Sequence, residues 1–466
     1  MAKSRAARPA SPFLIWPDFW AKPPFDWRAM SDPLDASQWL PAQELQRGTQ
    51  MQRRLLLEWA VGNVPFYRDT PGYASALARL RRDPADESAW QSMPVLTKEE
   101  MRTAGPRLNA HTLPAGHAPL VPTHSSGSTG VRVTVQTTQL SRAIGLALTL
   151  REHRWHQRDF TKRLGVTRVL PDADRVPGGR DHPGWGPPVG QIGITGPASA
   201  IHVGRPTDEI AAWLQRFDPH YLLSYPSVVA DLLELLPKPP PALEEIRMMA
   251  EPLEAELEQR IIGQWGVRCT DLYSAGEVGY IAMRCREHGH LHVQSESVML
   301  EVLDEHGAPC APGQTGRVVL TRLHNLATPL LRCDMGDLAT VGEPCPCGRG
   351  MPVLGRVWGR VRNLATLPDG RRVWPAGLNR LSQIEPIRQS QAVQTAPNLV
   401  ELHLLLVRPL TTEEAQSAQD IVRHGLDCPD MRVKIITADH IERGPSGKFE
   451  QFRSIVEQRS HCHPAP

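Results

Sequence analysis

The stretch Thr123-His124-Ser125-Ser126-Gly127-Ser128-Thr129-Gly130 constrains this chain more than any other. Small residues leave backbone N–H groups free to face an anion, and the hydroxyls add further donors. Val131, Val133 and Val135 follow in alternation, the pattern of a half-buried strand. The stretch reads as a phosphate-cradling loop. It is not a Walker loop, because no Lys-Ser or Lys-Thr closes it. A plain Ser/Gly surface loop has the same composition, so the residues downstream carry the decision.

Those residues alternate short apolar segments with helical patterns. Tyr221–Ser224 precedes a helix over Ser227–Leu236, and Ile246–Ala250 precedes one over Leu253–Trp265. Such alternation implies an α/β architecture. Upstream, Glu44 to Val61 forms an amphipathic helix with Leu45, Met51, Leu55, Leu56 and Trp59 on one side. Thr97 and Glu100 make a capping box. A helix from Gln139 to His153 follows the loop, residues 291–342 are mostly strand-like, and Asp369-Gly370 signals a hairpin. Residues 1–40, rich in Trp, Pro and Phe, read as an irregular lead-in. The organisation expected is this lead-in, a large domain over 41–358 and a small domain over 359–466.

Composition excludes several classes. With 466 residues, 41% apolar and 22% charged, the chain is an ordinary globular protein. A net charge of +2 gives no nucleic-acid footprint. No apolar run reaches the roughly 18 residues of a membrane span, and no signal-peptide core opens the chain. A cytoplasmic location follows, where the eight cysteines are thiols or metal ligands.

Read together, the spaced motifs resemble the adenylate-forming superfamily, and within it the phenylacetate–CoA ligase-like and capsular-polysaccharide-biosynthesis-like family. Ser125, Ser126, Gly127, Ser128, Thr129 and Gly130 resemble its phosphate loop, with Val131 where the family has Lys. Ala250-Glu251-Pro252-Leu253 resembles the Gly-Glu-Pro-Leu adenine-edge turn. Tyr273-Ser274-Ala275-Gly276-Glu277 resembles Tyr-Gly-x-Thr-Glu, in which the Tyr packs on adenine and the Glu holds Mg²⁺. Thr328 to Asp337 resembles the segment whose final Asp binds the ribose hydroxyls, a role that falls on Asp337. Gly359-Arg360 resembles the Gly-Arg opening the small mobile α+β domain. Arg443 to Phe449 resembles the loop of the catalytic lysine, here Lys448.

Cys285 stands near His288, His290 and His292, and Cys345-Pro346-Cys347 lies downstream. Soft thiolates with imidazole describe a closed structural zinc site. The resemblance extends here too, since part of the family has Cys, His and Cys-Pro-Cys at these places. The ligand set is Cys285, His292, Cys345 and Cys347, with His290 or His288 as substitutes for His292.

The resemblance implies ATP- and Mg²⁺-dependent activation of a carboxylic acid, aromatic or apolar, as an acyl-adenylate. Transfer to a thiol follows, with CoA foremost as co-substrate. Acceptance by a carrier protein or an amine, and an inactive nucleotide-binding homologue, are the alternatives. A homodimer is compatible with this reading.

Overall fold

The structure is a computed structural model and describes residues 24–124, 133–360, 363–375, 377–441, 443 and 448–456. The chain divides into two compact units, Met1–Trp358 and Gly359–Pro466.

The first unit opens with α1 (Trp27–Ser37) and α2 (Ala42–Asn63), then the short helices α3 (Pro65–Asp69), α4 (Tyr73–Leu80), α5 (Glu87–Gln91) and α6 (Lys98–Ala104). The helix α1 corrects the expectation of an irregular lead-in as far as residues 27–37 are concerned. The Asp26 side chain accepts from the Arg28 N–H at its start, and Trp27, Met30 and Leu34 are buried on one face. These three share an apolar cluster with Leu140, Ile144 and Ala147. The surrounding Trp and Pro masked this short period. Most of the lead-in, residues 1–23, lies outside the described residues. At α6 the capping box between Thr97 and Glu100 is formed.

A hairpin, β1 (Val121–His124) and β2 (Thr134–Thr137), pairs His124 with Thr134. The helix α7 (Gln139–Trp155) follows. The large sheet then accumulates β3 (Leu164–Arg168), β4 (Arg180–His182), β5 (Ala198–His202), β6 (Tyr221–Ser224), β7 (Glu245–Met248), β8 (Arg268–Ala275), β9 (Gly279–Arg284), β10 (Leu291–Val293), β11 (Val298–Leu303), β12 (Thr315–Arg322), β13 (Cys333–Val341) and β14 (Val353–Arg360). Its order is β11-β12-β13-β14-β10-β9-β8-β7-β6-β3-β5-β4. Strands β5, β3, β6, β7 and β8 are parallel, linked through α8 (Thr207–Phe217), α9 (Pro226–Leu235) and α10 (Ala255–Trp265).

The two faces of this parallel part differ. Leu222, Ile246 and Cys269 point to one face and are buried with Trp213, Val229 and Ile261. The alternate residues Glu245 and Arg247 point to the other and meet α7. There Arg158 bonds Glu152 at 2.6 Å and Glu245 at 2.8 Å, while Arg247 lies 2.9 Å from Glu152. Period-two alternation thus sorts apolar packing from a buried ion network in which every charge has a partner.

The second unit holds the small hairpin β15 (Ala365–Thr366) and β16 (Arg372–Val373) around Asp369-Gly370, with Gly370 at φ +84°. Its sheet has the order β19-β18-β17-β20, from β17 (Ile387–Ala396), β18 (Leu399–Leu406), β19 (Arg432–Thr437) and β20 (Phe452–Ser454). The helix α11 (Thr412–Gly425) starts in a capping box of Thr411 and Glu414. Its Ala418 and Val422 share a core with Val400, Leu402 and Leu404.

Candidate active site

The parallel strands end their C-terminal edges on the side where β8 turns into β9. In open α/β sheets ligands bind at this edge. The turn is Gly276-Glu277-Val278, closed by the Val278 N–H bonding Ala275 O at 3.1 Å. Glu277 at its tip is 3% exposed. Among the described residues no donor bonds to its carboxylate. Its backbone carbonyl accepts from Arg322 Nη1 at 3.0 Å, and Arg322 also reaches Thr137 Oγ1 at 3.2 Å. Burial pushes the Arg322 guanidinium down to about 10, while the Glu277 carboxylate acts the other way. A buried carboxylate left without a donor is costly unless a cation completes it.

Gly276 brings this turn against the start of the Ser/Gly loop. A Cβ at Gly276 would lie 2.4 Å from the carbonyl oxygen of His124, the last residue of β1. The residue is therefore glycine for want of space, which explains why the hydroxyl-bearing residue of the resembled motif is missing. Ser125 to Gly130 themselves lie outside the described residues. Gly276→Ala is expected to lower the melting temperature by roughly 5 °C, since overpacking against backbone costs about 1–3 kcal/mol. A thermal melt checks this, and an unchanged melt refutes the contact.

Tyr273, on β8, donates its hydroxyl to Asp337 Oδ2 on β13 at 2.7 Å, and both side chains are buried. Ser274 beside it is half-buried and pairs with Tyr280 across a bulge. The turn after β7 has a strained centre. Ala250 has φ +71°, and the Glu251 N–H bonds Met249 O at 2.9 Å across it. This is a γ-turn of the rare positive-φ kind. Ala250 stands where the resembled motif has glycine, the one signal in the sequence for this strain. The Glu251 carboxylate accepts from the Ser227 N–H at 2.9 Å and from Ser227 Oγ at 3.0 Å, at the start of α9. Glu251 thus fixes the turn to the N-terminus of α9, where a carboxylate is favoured. The pairing of Ser227 with Glu251 is not legible in the sequence and appears only in the structure. Pro252 follows, half-buried.

In the second unit, Arg360 ends β14 and follows Gly359 at φ +101°. Lys448 is half-buried. Four residues before it, 444–447, lie outside the described residues.

A second cluster sits at the far end of β9. Cys285 follows that strand, His292 lies on β10, and Cys345 and Cys347 lie before β14. One ligand atom from each falls within 4.8 Å of every other. Cys347 Sγ lies 3.4 Å from His292 Nε2. Burial and the nearby Arg349 push His292 down to about 4, so its imidazole is neutral at pH 7. Burial pushes the Cys345 thiol up to about 12, against the Cys347 backbone N–H, which acts the other way. Of the three histidines, His292 lies in this cluster; His288 is exposed and His290 half-buried in the preceding turn. Arg349 clamps the loop, over Trp39 at 4.6 Å and Trp155 at 4.3 Å.

No family model matches the chain. The chain has the fold of the adenylate-forming ligases. The structure of a 2-hydroxyisobutyryl-CoA ligase, bound to an acyl-AMP, matches with a TM-score of 0.67 at 18% identity, covering 90% of this chain and 91% of that one. An anthranilate CoA ligase bound to anthranoyl-AMP gives 0.52 at 15% identity, covering 73% and 67%. In sequence the chain is 28% identical over 261 residues to a phenylacetate–coenzyme A ligase of Thermus thermophilus. That match covers 52% of this chain and 56% of the relative, so the chain spans just over half the length of that curated relative. The fold is similar to that of adenylate-forming ligases, and the matched stretch of sequence is similar to that of a phenylacetate–CoA ligase.

Proposed function

We propose that the protein activates a carboxylic acid with ATP, forming an acyl-adenylate and pyrophosphate, and passes the acyl group to a thiol, CoA foremost. The single observation carrying this reading is Glu277, buried beside the start of the Ser/Gly loop with no donor to its carboxylate among the described residues. A hard carboxylate in that position suits Mg²⁺, which would neutralise charge on the phosphates of ATP. In the same reading Tyr273 packs on adenine, Asp337 accepts from the ribose hydroxyls, and the Glu251-Pro252 turn and Ser274 border the base. Ser125 to Gly130 cradle the phosphates. Lys448 supplies a cation where charge builds on the α-phosphate, and Arg360 belongs to the hinge. The chain's part is positioning and charge neutralisation. Crystals of the 2-hydroxyisobutyryl-CoA ligase hold both an acyl-AMP and CoA, which supports CoA as the acceptor here.

Cys285, His292, Cys345 and Cys347 would hold a structural Zn²⁺. Three thiols and a neutral imidazole, crowded and mostly buried, fit that borderline-soft ion.

Pyrophosphate exchange over a panel of aromatic and aliphatic acids tests the adenylation. Exchange with none of them defeats it, and AMP release dependent on a carrier protein or amine would replace CoA as acceptor. Glu277→Gln is expected to raise the Mg²⁺ concentration for half-maximal exchange at least about tenfold. An unchanged Mg²⁺ dependence removes Glu277 from the role.

A further inference from the structure

The segment that follows β12 grips the hairpin of the Ser/Gly loop. Asn325, fully buried, takes the Thr138 N–H at 3.3 Å and donates to Gln136 O at 2.9 Å. Thr328 Oγ1 accepts from the Gln136 N–H at 3.0 Å. Arg322, the last residue of β12, joins this grip through its side chain. Its Nη1 carries two N–H bonds. One points to Thr137 Oγ1 at 3.2 Å and the other to Glu277 O at 3.0 Å. Thr137 in turn meets Thr123 Oγ1, on β1, at 3.2 Å. A single nitrogen therefore ties the turn of Glu277 to the hairpin from which the loop springs.

A neutral donor would make the same two bonds. Both acceptors are uncharged, and a guanidinium only 8% exposed is costly to keep out of water. Burial pushes Arg322 down to about 10, and the charge acting against burial is the Glu277 carboxylate. Among the described residues neither group forms an ion pair. The guanidinium is near enough to offset the carboxylate, yet it bonds the carbonyl of Glu277. Both carboxylate oxygens stay free. A direct ion pair would neutralise the two charges more completely and would close the carboxylate to a metal ion. Counter-charge without a bond is what a metal-binding carboxylate needs before its cation arrives.

We infer that Arg322 is a positioning residue for adenylation. It holds the turn of Glu277 against the hairpin of the phosphate loop, and it supplies the counter-charge that leaves the carboxylate free for the cation. This rests on the adenylation reading and adds to it a residue that acts through Glu277.

Pyrophosphate exchange and thermal melts test it together on Arg322→Lys, Arg322→Gln and the double variant Arg322→Gln with Glu277→Gln. Arg322→Lys keeps the charge and is expected to stay within about tenfold of wild type, while Arg322→Gln keeps a donor without the charge and should lose about a hundredfold. A role confined to hydrogen bonding would rank the two equally, and that result overturns the inference. In the Glu277→Gln background, Arg322→Gln should cost no more than about twofold further, since coupled residues are not additive. A second hundredfold loss there overturns the inference as well.

The melts ask the same question without catalysis. In Mg²⁺-free buffer Arg322→Gln should melt roughly 5 °C below wild type, because a buried charge is left uncompensated, and adding Glu277→Gln should recover at least about half of that. A double variant that melts below Arg322→Gln refutes the counter-charge, even where the single variant is too unstable to assay. Wild type that exchanges with no acid defeats the adenylation reading and the role with it. Wild type and Arg322→Gln exchanging equally well defeat the inference alone.

Discussion

Lys448→Ala is expected to slow adenylate formation about a hundredfold to a thousandfold. This is the scale on which one charge-stabilising donor contributes to a transition state. The melting temperature should hardly move. Lys448 is half-buried, outside the core formed by Val400, Leu402, Leu404 and Val422, and substitutions away from such cores usually stay within about 0.5 kcal/mol. The second half-reaction separates two versions of the role. Thioester formation from a pre-made acyl-adenylate should survive, because the cation is needed only while charge builds on the α-phosphate. Equal slowing of both halves would show Lys448 serving a common step. No slowing of either would remove it from catalysis and strengthen the case for an inactive nucleotide-binding homologue.

Cys345→Ser has the largest expected effect on stability. Protein purified without chelators should carry about one zinc per chain, and this variant should lose it. In a closed site binding energy is also folding energy. The melting temperature of the first unit is expected to fall by roughly 10 °C, from a loss of about 3–5 kcal/mol over a unit of this size. Metal analysis and a thermal scan decide the matter together. Wild-type protein without zinc defeats the metal. Zinc retained in Cys345→Ser moves the site to another ligand set, whatever the scan shows.

Much of the fold was legible because local period and burial agree. The expected helix over Glu44–Val61 is α2, Ala42–Asn63, and the alternation from 221 to 265 became β6, α9, β7 and α10. The side of α2 was less legible. Met51 and Leu55 are only half-buried, while Gln52 and Arg53 are buried, Arg53 because Glu87 meets it at 2.8 Å. An ion pair 34 residues apart leaves no trace in a hydrophobic period. The Cys-Pro-Cys spacing pointed to a ligand pair, but choosing among three histidines needed the strand. Only His292 lies on β10, opposite Val353, and His290 sits in the turn before it. At the candidate active site, the residue types of Tyr273, Glu277 and Asp337 were readable. The pairings of Tyr273 with Asp337, Glu277 with Arg322, Glu251 with Ser227 and Gly276 with His124 were not, since each joins residues tens of positions apart.

The position of the cysteine cluster has a bearing on strand register. The strand β10 has three residues and pairs β14 at two positions, Leu291 with Leu354 and His292 with Val353. A strand this short carries too little apolar alternation to choose between neighbouring alignments, and a slip of one residue would turn every side chain to the opposite face. The side chains of Cys285, His292, Cys345 and Cys347 come together in the observed alignment, and a slip of one residue would turn His292 to the other face of β10. Their convergence therefore acts as a pin through β9, β10 and β14. Because β9 begins two residues after Glu277, the same pin sets the phase of the strand that presents the buried carboxylate. A thiol cluster some 20 Å away, at about 3.3 Å per residue along β9, in this way bears on which way the turn carrying Glu277 faces.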